Sequence, residues 1–351
     1  MAINSSFWRG KKVFLTGHTG FKGSWTCLWL QVMGAKVFGF SLEPPTKINL
    51  FDEADISSDM ESFIGDIRDL QLLKEKIRLF NPDIVIHMAA QPLVRYSYLE
   101  PVETYSVNVM GTVNVLEASR YSENLGAVLN VTSDKCYENK EWIWSYRENE
   151  PMGGFDPYSN SKGCSELVTN AYRNSFYKDT SIGLASARSG NVIGGGDWAE
   201  DRLVPDTLKA FENSHSVIIR NPQAIRPWQH VLEPVSGYLK LVENLYDKKD
   251  CFSQAWNFGP KDEDSKSVAW IVEELSKQWG EDASWSVDTS SNPHEANFLK
   301  LDISKSLSNI DWSPTWSINQ AIEMTVSWHK AWLHKEDIKL KSLDQINMFI
   351  G

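Results

Sequence analysis

The chain of 351 residues has little that would suit it to a membrane, a metal or a nucleic acid. No apolar run approaches the ~20 residues that span a bilayer; the most apolar early stretch, "WTCLWLQVMG", is far too short. The start, "MAINSSFWRGKKVFLTG", carries no apolar core of the secretory kind, so a cytoplasmic protein is expected. Cys27, Cys136, Cys164 and Cys251 stand far apart, with no C-x-x-C pair and no Cys/His cluster, which argues against a disulfide framework and against a zinc site. No metal is expected. Positive charge is in deficit, with 35 Lys and Arg against 46 Asp and Glu and a formal net charge of −11. Such a surface repels a phosphate backbone, so nucleic acid is not an expected partner. A small anionic ligand remains open wherever a few arginines converge. The chain shows no internal repeat and no low-complexity tract.

What is present is ordinary for a globular protein, with 42% hydrophobic and 23% charged residues. The length suits about two domains. Through the first half, strand-like runs ("KKVFLTG", "AKVFGFSL", "DIVIHMAA", "AVLNVTS", "SIGLASARSG") alternate with helical spacing ("FKGSWTCLWLQVMG", "DLQLLKEKIRLF", about 101–121 and about 160–176). This rhythm predicts an α/β fold, a Rossmann-like doubly wound parallel sheet with helices on both faces. After about Asn191, Gly, Pro and Trp thicken in "NVIGGGDW", "NPQAIRPWQH" and "WNFGP", as in loops that carry ligand contacts. A smaller mixed α/β domain is expected there, closing over the sheet.

"FLTGHTGFKGSW" places Gly17, Gly20 and Gly23 between a strand and a helix. In that position the first glycine permits a tight turn, the second lets backbone approach a pyrophosphate, and the third lets helix and strand pack closely. The helix N-terminus then offers free N–H groups to the phosphates. A bound dinucleotide is the expectation. The second strand ends "FGFSLEPP", with Ser41 where an acid would bind the adenosine ribose and Glu43 two residues on. No arginine stands there for a 2′-phosphate, so NAD is expected over NADP. "GDIRD" offers Asp66 and Ile67 as adenine neighbours.

"DPYSNSKG" holds Tyr158 and Lys162 four residues apart, on one face of a helix. Chance alone yields such a pair about once in a chain of this composition, so its place after the strand bearing "TSDK" gives it weight. The Lys162 ammonium is expected to lower the Tyr158 hydroxyl pKa and make it a base. Between strand and helix, "VTSDKCYEN" sets Ser133, Asp134 and Lys135 side by side at the carboxyl edge of the sheet, where ligands bind.

Gly17/Gly20/Gly23, "HMAAQ", Asn108 in "NVMGTVNVLEA", Ser133 and Tyr158/Lys162 occur in an order that resembles the extended short-chain dehydrogenase/reductase superfamily over nearly the whole length. The resemblance implies NAD held by Gly17, Thr19, Gly20, Phe21, Gly23, Ser41, Asp66, Ile67, Ala89, Ala90, Gln91, Asn108, Tyr158 and Lys162. It implies a Rossmann domain over 1–190, re-entered at about 227–258, and a nucleotide-sugar domain over 191–226 and 259–351. It also implies a homodimer, or a dimer of dimers, pairing the helices about 101–121 and 160–176. An acid/base pair after the serine resembles the nucleotide-sugar 4,6-dehydratases among these, in which Asp-Glu is usual. Asp134-Lys135, with "GHTGFKGSW" and "HEANFLKLD", is similar to the CDP-glucose branch, which supplies CDP-linked dideoxyhexoses for bacterial surface polysaccharides. By that resemblance Ser133, Asp134, Lys135, Tyr158 and Lys162 are catalytic, Asp134 as acid and Lys135 as base at the sugar C5. The substrate contacts are Ser133, Asn191, Arg202, Arg220, Arg226 and His294. Arg188, at the end of "GLASARSGN", is a further cation for the diphosphate. Another nucleotide-sugar 4,6-dehydratase, a nucleotide-sugar 4-epimerase and a non-catalytic NAD-sensing protein are the competing readings.

Overall fold

A computed structural model describes residues 3–280, 283–288 and 297–351. Seven parallel strands form the central sheet: β1 (Lys12–Thr16), β2 (Lys36–Ser41), β3 (Glu61–Ile64), β4 (Ile84–His87), β5 (Ala127–Val131), β6 (Gly183–Ser189) and β7 (Ala255–Phe258). Their order is β7-β6-β5-β4-β1-β2-β3, so the chain reverses direction across the sheet between β1 and β4. A crevice opens at such a reversal, and ligands bind there. The register sets Val13 beside Ile84 and Val37, and Leu129 beside Ile86 and Ala185.

Both faces of the sheet are buried, as an all-parallel sheet requires. Alternate residues therefore feed two cores. Val13, Leu15, Ile84, Ile86 and Leu129 join one, while Phe14, Val85, Val128 and Leu184 join the other. Helix α1 (Phe21–Val32), a helix at Leu232–Asp247 and the tail cover the first face. Helix α2 (Leu70–Phe80) and helix α3 (Gly111–Ser119) cover the second, with Tyr172 of helix α4 (Pro157–Tyr172) packed against it. A π-turn at Ser106–Met110 precedes α3, joined to a helix at Pro101–Tyr105.

A third apolar cluster builds the smaller lobe. Helix α5 (Leu203–Glu212) contributes Val204, Leu208 and Phe211, the short strand Val217–Ile219 adds Val217 and Ile219, and helices Val268–Trp279 and Ile318–Leu333 add Ile271, Leu275 and Ile322. The loop at 194–197 is where this lobe meets the sheet. A side chain at Gly194 would stand 3.2 Å from Phe21, and one at Gly195 only 2.1 Å from Trp328. The Trp25 indole donates to the Gly195 carbonyl at 3.0 Å. The tail, which shows no clear sequence signal, is a helix at Ile338–Ile350, and its Phe349 ring packs edge-on against Trp29 of α1 at 5.6 Å. It thus lies against the dinucleotide-side helix. Among the described residues no helix is long and apolar enough to cross a membrane, and no group of His, Cys, Asp or Glu is arranged to hold a metal.

Candidate active site

The glycine turn shows why each glycine is there. Gly17 has φ +78°, and a Cβ on it would lie 2.7 Å from the Ala89 amide nitrogen. Gly20 is the N-cap of α1 with no side-chain cap, and around its Cβ position only the Gly17 carbonyl comes near, at 3.4 Å. A Cβ on Gly23 would meet that same carbonyl at 2.0 Å. One glycine turns, one leaves room beside open helix N–H groups, and one permits close packing. These features fit a dinucleotide pyrophosphate.

At the end of β2, hydroxyls replace the missing acid. Thr19 Oγ1 is hydrogen-bonded to Ser41 Oγ at 2.9 Å and donates to the Leu42 carbonyl at 2.9 Å, while Glu43 is exposed. Asp66 is engaged with Arg68 at 2.5 Å, and the Ile67 side chain lies in the second core against Gly111. Asn108, in the π-turn, accepts from the Gln91 amide at 2.8 Å and donates to the Gln91 carbonyl at 3.0 Å and to Ser161 Oγ at 2.9 Å. It ties the 88–91 loop to α4, a positioning task at a π-bulge. Ala89 is held by its amide on Thr16 Oγ1 at 3.2 Å, and Ala90 sits half-buried between Ala89 and Gln91.

Beside this crevice lies a cavity of about 640 Å³ between the sheet and the small lobe. It brings together Phe21, Ser133, Asp134, Lys135, Tyr158, Asn191, Arg202, Arg220 and Arg226. His294 lies outside the described residues. Ser133 caps a short turn at Asp134–Cys136 and donates from Oγ to Asp134 Oδ1 at 3.0 Å. It also hydrogen-bonds the Tyr158 hydroxyl. Asp134 is buried, and its Oδ2 has no hydrogen-bond partner among the described residues. Burial pushes its carboxyl up, against the opposing pull of Lys135, Ser133 and Arg226. A carboxyl whose proton is held more firmly by burial is better suited to act as a general acid. Lys135 is half-buried on the cavity wall.

Tyr158 starts α4, whose N-cap Asp156 accepts from Ser159. The expected lowering of its hydroxyl is not what the structure gives: burial raises it to about 12, with the Ser133 hydrogen bond opposing. Lys162, one turn on, is itself pushed down to about 8 by burial. Desolvation is the largest influence on both groups.

One sequence assignment moves. Arg188 does not reach the cavity; it is buried with Glu166 at 2.8 Å, donates to the Tyr137 hydroxyl at 2.8 Å and is part of the scaffold. Arg202 heads α5, pairs with Asp197 at 2.8 Å, and acts electrostatically on Tyr158. Arg226 is buried and acts on Asp134, while Arg220 stands 4.0 Å from Asp201. Residues the sequence did not single out also gather here. Lys22, in the first turn of α1, lines the cavity and reaches Ser189 Oγ at 3.3 Å, and behind the wall Glu166 receives hydrogen bonds from Thr132, Ser186 and Arg188. The i, i+4 spacing of Lys162 and Glu166 was the one local signal for Glu166.

Residues 14–325 match the family model described as GDP-mannose 4,6 dehydratase. The chain belongs to that family. Within it, a CDP-glucose 4,6-dehydratase of Salmonella typhimurium is 56% identical across 99% of both chains. A UDP-glucose 4-epimerase of Halalkalibacterium halodurans is 26% identical over 92% of this chain and 96% of its own. Among solved structures, a Bacillus anthracis dTDP-glucose 4,6-dehydratase in complex with NAD superposes with a TM-score of 0.76 at 18% identity, covering 94% of this chain and all of that one (100%). A Bacillus cereus UDP-glucuronic acid 4-epimerase in complex with UDP-glucuronic acid and NAD gives 0.79 at 23% identity over 92% and 99%. The dehydratase and epimerase structures thus share one architecture with this chain.

Proposed function

We propose that this chain is an NAD-dependent CDP-glucose 4,6-dehydratase, a hydro-lyase that converts CDP-D-glucose to CDP-4-keto-6-deoxy-D-glucose. The observation that carries this reading is Asp134: a buried acid bonded to Ser133, in a chain 56% identical along its length to a CDP-glucose 4,6-dehydratase. An epimerase has no step that needs it.

Gly17, Gly20 and the head of α1 would hold the dinucleotide by its pyrophosphate, and the bound cofactor would supply the acceptor for the C4 hydride and the donor of that hydride to C6. Every other step belongs to side chains. Ser133 holds the C4 oxygen, and Tyr158 takes the C4 hydroxyl proton as the ionised phenolate. The resulting ketone acidifies the C5 hydrogen. Lys135 removes that proton while Asp134 gives its own to the C6 hydroxyl, which leaves as water. The C5 proton is returned when C6 is reduced, so the net change is loss of one water. Asn191, Arg220 and Arg226, with Arg202 and His294 next, hold the diphosphate. Lysine acts as a base only as the free amine. A Lys135→Ala enzyme that still exchanged C5 deuterium at the normal rate would remove Lys135 from its role.

Exposed apolar side chains on the paired helices (Val102, Met110, Leu167, Phe176) support a homodimer through that face, or a dimer of dimers. The product class suits the assembly of CDP-linked dideoxy sugars in the cytoplasm, as for O-antigen. The test is direct: incubate the protein with NAD and CDP-, dTDP-, GDP- and UDP-sugars and follow mass. Loss of one water from CDP-glucose is expected; water loss from another nucleotide sugar alone would reject the CDP assignment, and an epimerised product would reject the dehydratase.

A further inference from the structure

We propose that Lys22 is a catalytic group of this site, set against the reacting end of the dinucleotide, where its charge governs the balance between oxidised and reduced cofactor. The inference rests on the NAD reading above and deepens it. Lys22 lies in the first turn of α1, two residues past Gly20, where a phosphate-binding lysine would be unremarkable. Its side chain goes elsewhere. The ammonium reaches across to the end of β6 and donates to Ser189 Oγ at 3.3 Å, which is bonded in turn to the Tyr238 hydroxyl at 2.8 Å. Lys22 lines the same cavity as Asp134 and Tyr158.

The groups acting on it come from three other elements: Lys162 of α4, Arg202 at the head of α5, and Asp134 after β5. Asp197 partners Arg202, and the Tyr158 and Tyr238 hydroxyls complete the surround. Lys22, Lys162 and Arg202 therefore gather positive charge at the carboxyl ends of β5 and β6 beside the buried Asp134 carboxyl, on which Lys135 and Arg226 also act. That is where the C4 chemistry occurs, so the nicotinamide must lie there as well. The oxidised ring is a cation and the reduced ring is neutral, so a charged Lys22 penalises only the oxidised form. Burial first, then Lys162 and Arg202, push Lys22 down to about 7 against the pull of Asp134. Its charge can therefore change under working conditions, and it is lost below the point, about 8, at which Lys162 loses its own.

The experiment is equilibrium binding of NAD+ and NADH to the full chain without substrate, from about pH 6 to about pH 9. For the wild type, the preference for the reduced form should fall by about tenfold as Lys22 gives up its proton. K22M should show a low, flat preference up to about pH 8, keeping only the change due to Lys162. K22R, charged throughout, should keep the high preference up to about pH 8 and show beyond it only the change due to Lys162, and it carries the test by itself if K22M does not fold. A wild-type slope retained in K22M, or a preference lost in K22R, overturns the proposal and leaves the NAD reading standing. A wild type that binds neither dinucleotide overturns both.

Discussion

Helix α4 carries buried charge on two successive turns, and the two turns have different fates. Glu166 faces the underside of the sheet. Burial would raise its carboxyl, but Arg188 and hydrogen bonds from Thr132 and Ser186 hold it below the usual carboxylate range. Every oxygen has a partner and none faces the cavity. Lys162 stands one turn earlier, where burial is answered only distantly by Glu166 and its pKa falls to about 8. Its neighbours Asp134 and Lys22 are likewise shifted toward neutrality by burial. The lesson is that charge buried with a full set of partners makes a scaffold, and charge buried without one makes a site. A paired ion resists titration, whereas an underpaired one can exchange its proton during a reaction.

This contrast can be broken from the site outward. Tyr158→Phe should lower turnover of CDP-glucose by about 10³-fold with dinucleotide binding and melting temperature unchanged, as measured by steady-state kinetics and thermal melts. Asp134→Asn should cost about 10²-fold in water loss while C4 oxidation continues, so that the absorbance of reduced dinucleotide accumulates on mixing with substrate. A melt no worse than wild type is expected, since the substitution removes an underpaired buried acid. Normal water loss by this variant would take the acid role from Asp134.

On the scaffold side, Arg188→Met should cost about 3–5 kcal/mol in urea unfolding by stranding Glu166. Adding Glu166→Gln should recover part of that loss. The pair also sets a pH direction. A carboxyl held low contributes stability that is present above its unfolded pKa and lost as pH falls toward its folded value.

Glu233 sharpens the comparison from the other direction. Its oxygens accept only the Thr315 and Trp316 amides, at 2.6 to 3.0 Å, and burial raises it to about 7. The folded state then holds a proton that the unfolded state releases, so stability should fall as pH rises from about 4.5 to about 7, by at most about 3 kcal/mol. Glu233→Gln should flatten that slope in melts across this range. The smallest effect belongs to the surface: Arg147→Ala, breaking the 3.3 Å pair with Asp302 on a side chain 70% exposed, should leave the melting temperature unchanged. A clear drop there would blunt the contrast between satisfied buried pairs and exposed ones.

Much of the fold is legible in the chain because it is local and periodic. The alternation of strand and helix, the three glycines and the Tyr158/Lys162 spacing all lie within short windows. Arg188 is where reading along the chain misleads. It ends the strand beside Ser189, and adjacent strand residues face opposite ways. Arg188 and Ser186 turn to Glu166 on α4, while Ser189 turns to Lys22 and Tyr238. One residue of parity separates scaffold from site. The terminal helix was illegible for a different reason, since its place depends on Trp29, more than three hundred positions away.

The sequence by itself determined the fold class and the glycine turn, because short-range spacing and residue chemistry suffice for these, and it offered Ser133, Asp134, Lys135, Tyr158 and Lys162 as candidates for the chemistry. Only the tertiary structure decided which charges are active. That depends on desolvation and on partners from distant elements: Glu166 for Arg188, Asp197 for Arg202, and Lys162, Arg202 and Asp134 around Lys22. A proton's affinity for a side chain is set by its surroundings, and those exist only once the chain has folded.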